Sequence, residues 1–84
     1  MKFIVQDAAL RSGIEPEKIE RFILFTWVRP ADPDEGLLDE CDLARCRLIA
    51  ELQDEFGVND ASVPVILDLI DQLHDVQNAL RRLK

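Results

Sequence analysis

Apolar residues recur along this chain at helical intervals and almost nowhere at the two-residue interval of a strand. The pattern predicts four helices. The first is short, about Gln6 to Ser12, and stops at Gly13, a residue suited to a left-handed C-cap. The second starts at Glu15-Pro16, with proline at the first helical position. Ile19, Phe22, Ile23 and Thr26 follow at helical spacing, with Ile14 just ahead of them. Arg29-Pro30 sets the outer limit, because proline disfavours a helical residue before it. The stretch "ADPDEG" then reads as a loop of turn residues.

The third helix runs from about Asp39, a good N-cap, to Phe56, and Gly57 ends it. Leu43, Cys46 or Arg47, Ala50 and Leu52 give it an apolar face, and the acids in its first turn suit the helix dipole. The fourth begins near Ser62, carries Pro64 in its first turn and runs to about Leu83. Only "KFIV" and "WVR" hint at strand, which leaves room for a tiny hairpin across the acidic loop.

The fourth helix changes along its length. Val63, Ile66, Leu67, Leu69 and Ile70 make a wide apolar face, suited to packing on its own domain. Beyond them only Leu73, Val76, Leu80 and Leu83 remain. From Ile66 the apolar steps alternate between three and four residues, the mark of a coiled-coil seam. The seam predicts a homodimer; the alternative is a tail that folds back on its own core. Antiparallel pairing would bring Arg81, Arg82 and Lys84 of one copy toward Asp68, Asp71 and Asp75 of the other.

With 84 residues the chain is one small domain, and 48% apolar content marks it as folded. It has no repeats and no run of 18 apolar residues, and its start does not read as a signal peptide. A cytoplasmic location and no membrane partner are the expectation. The net charge of −7 is uneven. Residues 1–30 hold five bases and four acids; residues 31–60 hold two bases and ten acids; the remainder balances. Six of those carboxylates, Asp32, Asp34, Glu35, Asp39, Glu40 and Asp42, fall within one short stretch with no base among them. Such a patch is either a solvated surface or a docking face for a basic partner.

Catalytic and metal chemistry find little support. An EF-hand starting at Asp32 would need glycine sixth and glutamate twelfth, but Gly36 falls fifth and Leu43 twelfth. Cys41 and Cys46 are about 140° apart around a helix, so they read as separate free thiols. His74, the one histidine, flanks the seam, and no phosphate-binding glycine loop is present. No enzyme activity, cofactor or metal is expected.

"SGIEPEKIERFI" followed by the "WVRP" turn resembles the start of MerR-type winged-helix regulators. "LLDECDLARCRLIAELQDEFGVNDASVPVILDLIDQL" resembles the chaperone-modulator (CbpM) family, most specifically in "FGVNDASVPVILDLIDQL". The resemblance implies a mainly all-α fold: a MerR-like winged helix-turn-helix with a long C-terminal helix and at most a tiny β-hairpin. It implies one domain over 1–84, with the helix-turn-helix at about 6–29, the acidic loop in the wing's place at 30–38, a third helix at about 39–56 and the C-terminal helix at about 62–83. It also implies a non-enzymatic regulator that binds and inhibits the J-domain of a DnaJ-like, CbpA-type co-chaperone. Thr26 departs from the pattern, standing where glycine is common before "WVRP".

The residues offer their own test between protein and DNA. In the MerR-like alignment, Glu17 and Glu20 occupy positions expected to be basic for phosphate contact, although Lys18 and Arg21 remain. Leu24 and Phe25 adjoin Phe22 and Ile23, and the four cannot share one core, so at least one faces outward. Both observations argue against DNA and for a protein partner, met by the acidic patch. A MerR-like DNA-binding regulator is the alternative. Trp27 is expected in the core.

Overall fold

Two left-handed corners organise the front half of the chain. The computed structural model describes residues 1–83, with α1 at Val5–Ser12, α2 at Pro16–Leu24, α3 at Glu40–Asp54 and α4 at Val63–Arg82. Gly13 makes the first corner at φ 74°, donating its N–H to Ala9 C=O at 2.9 Å. The chain re-enters helix at Pro16, so α1 and α2 form a helix-turn-helix. Ala8, Ala9, Ile19 and Phe22 point into the core.

The second corner ends α2 at Leu24, five residues before the limit set by Arg29-Pro30. Thr26 N–H donates to Ile23 C=O at 3.0 Å and Trp27 N–H to Phe22 C=O at 2.9 Å. These are the two bonds of a Schellman motif, whose left-handed position falls on Thr26 at φ 60°. The motif's usual apolar contact is present too, as Phe22 and Trp27 rings 5.8 Å apart. Trp27 and Val28 are thereby turned into the core, and "WVR" forms no strand. Leu24 and Phe25 are left outside, 77% and 42% exposed.

The acidic loop is a minimal wing. Asp32 and Leu37 exchange backbone hydrogen bonds at 3.1 and 3.0 Å around the turn 33–36, in which Gly36 takes φ 68°. Phe3 and Leu38 exchange another pair at 2.6 and 2.8 Å. Leu38 is fully buried, and Phe3 is buried beneath the Arg11 guanidinium, 4.3 Å from the ring centroid.

A reciprocal cap then starts α3: Asp42 N–H donates to Asp39 Oδ1 at 2.8 Å, and Asp39 N–H to Asp42 Oδ2 at 3.0 Å. The buried face of α3 is Leu43, Cys46 and Ile49. The sequence-based face drifted past Ile49 to Ala50 and Leu52, which are only half-buried.

Val63 and Leu67 anchor α4 in the core, while Ile66 and Ile70 are half-buried against the body. From Asp71 to Leu83 every residue is exposed, so the outer half of the helix projects and does not fold back. The radius of gyration is 13.8 Å, against about 12 Å for a compact chain of this length.

Candidate functional site

The six clustered carboxylates divide into two groups. Asp32 is half-buried: its Oδ1 accepts from Glu35 N–H at 3.1 Å and its Oδ2 lies 3.8 Å from Lys2 Nζ. Asp39 and Asp42 are engaged in the α3 cap, and Asp42 Oδ2 also accepts from Ala31 N–H at 2.9 Å. These three hold the wing and the start of α3 together. Asp34, Glu35 and Glu40 are exposed, and none of their carboxylates has a hydrogen bond or ion pair among the described residues. Any partner reading this segment by charge would meet those three first.

On the helix-turn-helix, Glu17, Glu20 and Arg21 are all exposed. Lys18 is already engaged, its Nζ 3.6 Å from Asp54 Oδ1. On α2, Lys18 is therefore answered by a carboxylate and Arg21 is flanked by Glu17 and Glu20.

A second surface lies on α4. Val65, Leu69, Leu73, Val76 and Leu80 are each 55–60% exposed, and Leu83 is 83% exposed. At 3.6 residues per turn they form one stripe, roughly 150° around the helix from Val63 and Leu67. The stripe begins at Val65, beside the docked portion, rather than at Ile66, which leans toward the body. Of the acids expected to answer the C-terminal bases, Asp71 is already paired with Arg45 and Asp68 accepts from Gln72 Nε2 at 2.9 Å. Lys84 lies outside the described residues.

Cys46 is fully buried, and desolvation, reinforced by Asp42 and opposed by Arg47, pushes its thiol up to about 11. Cys41 is exposed, and both are free. His74 borders a shallow depression with Gln77, Asn78 and Arg81. No group of three potential metal ligands converges among the described residues. No helix among them is long and apolar enough to cross a membrane.

Arg45 is the residue that sequence reasoning missed. Its Nε donates to Trp27 C=O at 2.6 Å, and its Nη1 and Nη2 donate to Asp71 at 3.1 and 3.4 Å. One arginine of the third helix thus touches the α2 corner and α4. Nothing in local sequence spacing signals a contact that spans 18 and 26 residues.

The model of the MerR HTH family regulatory proteins matches residues 3–84. The chain belongs to this family. No curated protein matches it. The architecture is the all-α one expected, with α1 and α2 forming a helix-turn-helix. The family is a regulatory one.

Proposed function

We propose that this MerR family member is a non-enzymatic chaperone modulator of the CbpM type, which binds the J-domain of a DnaJ-like, CbpA-type co-chaperone and inhibits it. The observation that carries this is the charge on the faces a DNA-binding relative would turn toward phosphate. Glu17 and Glu20 stand exposed on α2, Asp34 and Glu35 at the wing tip, and Glu40 at the start of α3. DNA affinity depends on neutralising phosphates, and these carboxylates oppose it. A basic surface is favoured instead, and the resemblance to the CbpM family supplies one in the J-domain. Such complementarity steers encounter and sets specificity. The protein acts in the cytoplasm, without cofactor or metal, as a homodimer.

The apolar stripe supports the dimer. An antiparallel pair centred between His74 and Asp75 sets Leu73 against Val76 and Leu69 against Leu80. The stripe is therefore complementary to a second copy of itself, as a two-fold interface requires.

Calorimetric titration with a cognate J-domain at low salt tests the proposal, and the absence of binding would sink it. Neutralising the free carboxylates together (Asp34→Asn, Glu35→Gln, Glu40→Gln) should weaken binding roughly tenfold and flatten its salt dependence. The DNA-binding alternative draws on the family's helix-turn-helix and on exposed Arg21 and Arg29. A genome-wide pull-down that enriches no site removes it.

A further inference from the structure

We propose that Arg45 is a positioning residue that straps α4 to the helix-turn-helix corner and sets the angle at which α4 projects. The guanidinium is divided between two tasks. Nε holds the carbonyl of Trp27, the residue that follows left-handed Thr26 in the α2 corner. The two terminal nitrogens fork onto the two carboxylate oxygens of Asp71, a bidentate arrangement that fixes orientation as well as distance.

The rest of α4's attachment lies closer to its start. Val63 and Leu67 are buried, Ile66 and Ile70 half-buried, and after Asp71 every described residue is exposed. Asp71 is thus the outermost point at which α4 is tied to the body. Eight residues separate it from Val63, about 12 Å of helix, and about 18 Å more runs on to Leu83. A small rotation about the turn before Ser62 is amplified along that free length, and the strap is what opposes it. Lysine cannot replace it, since a single ammonium has neither the fork nor the reach to hold a carbonyl and a carboxylate at once.

The strap is partly open to solvent, with the Arg45 and Asp71 side chains 32% and 52% exposed. Salt therefore loosens its ionic half and leaves the Trp27 bond in place. The angle of α4 becomes sensitive to ionic strength and to any cation presented at Asp71. Where two copies pair through the α4 stripe, which rests on the dimer reading above, the same angle sets the separation of the two wings.

The test is an intrachain distance measurement on the full chain. Nitroxide labels go on exposed Cys41 and on a Gln77→Cys variant, diluted with unlabelled chain so that only distances within one copy are read. The parent should give one narrow distribution. Arg45→Met should broaden it at least twofold with helicity unchanged, Asp71→Asn should do the same without touching Trp27, and Arg45→Lys should not restore it. Distributions in Arg45→Met and Asp71→Asn that match the parent would overturn the proposal, as would broadening seen only with loss of helicity. If Arg45→Met fails to fold, Asp71→Asn decides alone.

Discussion

The Asp42 carboxylate holds the backbone of Ala31: Oδ2 accepts the Ala31 N–H at 2.9 Å while also accepting the Asp39 N–H at 3.0 Å. A residue of the α3 first turn therefore closes the wing behind it. Asp42→Ala removes a cap and a tertiary bond together, and should cost about 2 kcal/mol in urea unfolding. Asp34→Asn, at the free wing tip, should change stability by less than about 0.5 kcal/mol. Equal effects from the two would show that the division of the acids is wrong.

Thr26 sits at φ 60° in the position of the Schellman motif that glycine usually fills. A left-handed β-branched residue is strained by about 1–2 kcal/mol. Part of the relief in Thr26→Gly is offset by the freer unfolded chain. The net gain should be about 0.5–1 kcal/mol, a rise of a few degrees in Tm for a domain of this size. A lower melting temperature would mean that the Thr26 hydroxyl, which donates to Phe25 C=O at 2.6 Å, outweighs the strain.

Cys46 gives the pH dependence. Its folded-state value, about 11, lies above the ordinary 9.0, chiefly through burial. The folded protein therefore holds this proton more tightly than the unfolded chain does. Stability from this group is intact below about pH 9 and is lost as pH rises toward 11, by about 2 kcal/mol. Denaturant midpoints across that range should fall in the parent and fall less in Cys46→Ala. Thiol reagents at neutral pH should modify Cys41 alone until the protein unfolds.

The α4 stripe and the α4 core face should respond oppositely to concentration. Leu80→Asp is expected to yield a monomer that keeps most of its helicity, because Leu80 is exposed and stands outside the core cluster. Leu67→Ala should lose about 2–5 kcal/mol at any concentration, since it opens a cavity in the body. Sedimentation of the parent decides the matter: a monomer at tens of micromolar would end the pairing model.

The helices were legible because each buries a face at regular spacing. Ile19 and Phe22, Leu43 and Cys46, and Val63 and Leu67 all fall where the apolar pattern put them. Val28 was missed because proline two residues later reads locally as turn, whereas the Trp27-Val28 pair is drawn inward by the corner at Thr26. Ile49 was missed because α3 is amphipathic only weakly, with Ala50 and Leu52 competing for the same face. The acidic patch was visible as composition. Its division was not, because whether a carboxylate is free or holds backbone N–H groups depends on where Ala31 and Glu35 come to rest. Asp39 was the exception, since capping is a local property.

Phe3 pairs with Leu38 across the whole helix-turn-helix, and both side chains are buried. The hairpin between them is thus one edge of a closed ring that contains α1 and α2, rather than an appendage. The Phe3–Leu38 bridge cannot open without exposing the core, so its two amides should exchange with solvent on the timescale of global unfolding. The carboxylates the hairpin carries are consequently presented on a rigid frame. A chain segment with this charge but no such closure would be a floppy polyanion and would forfeit ordering entropy on contact; this one arrives preorganised.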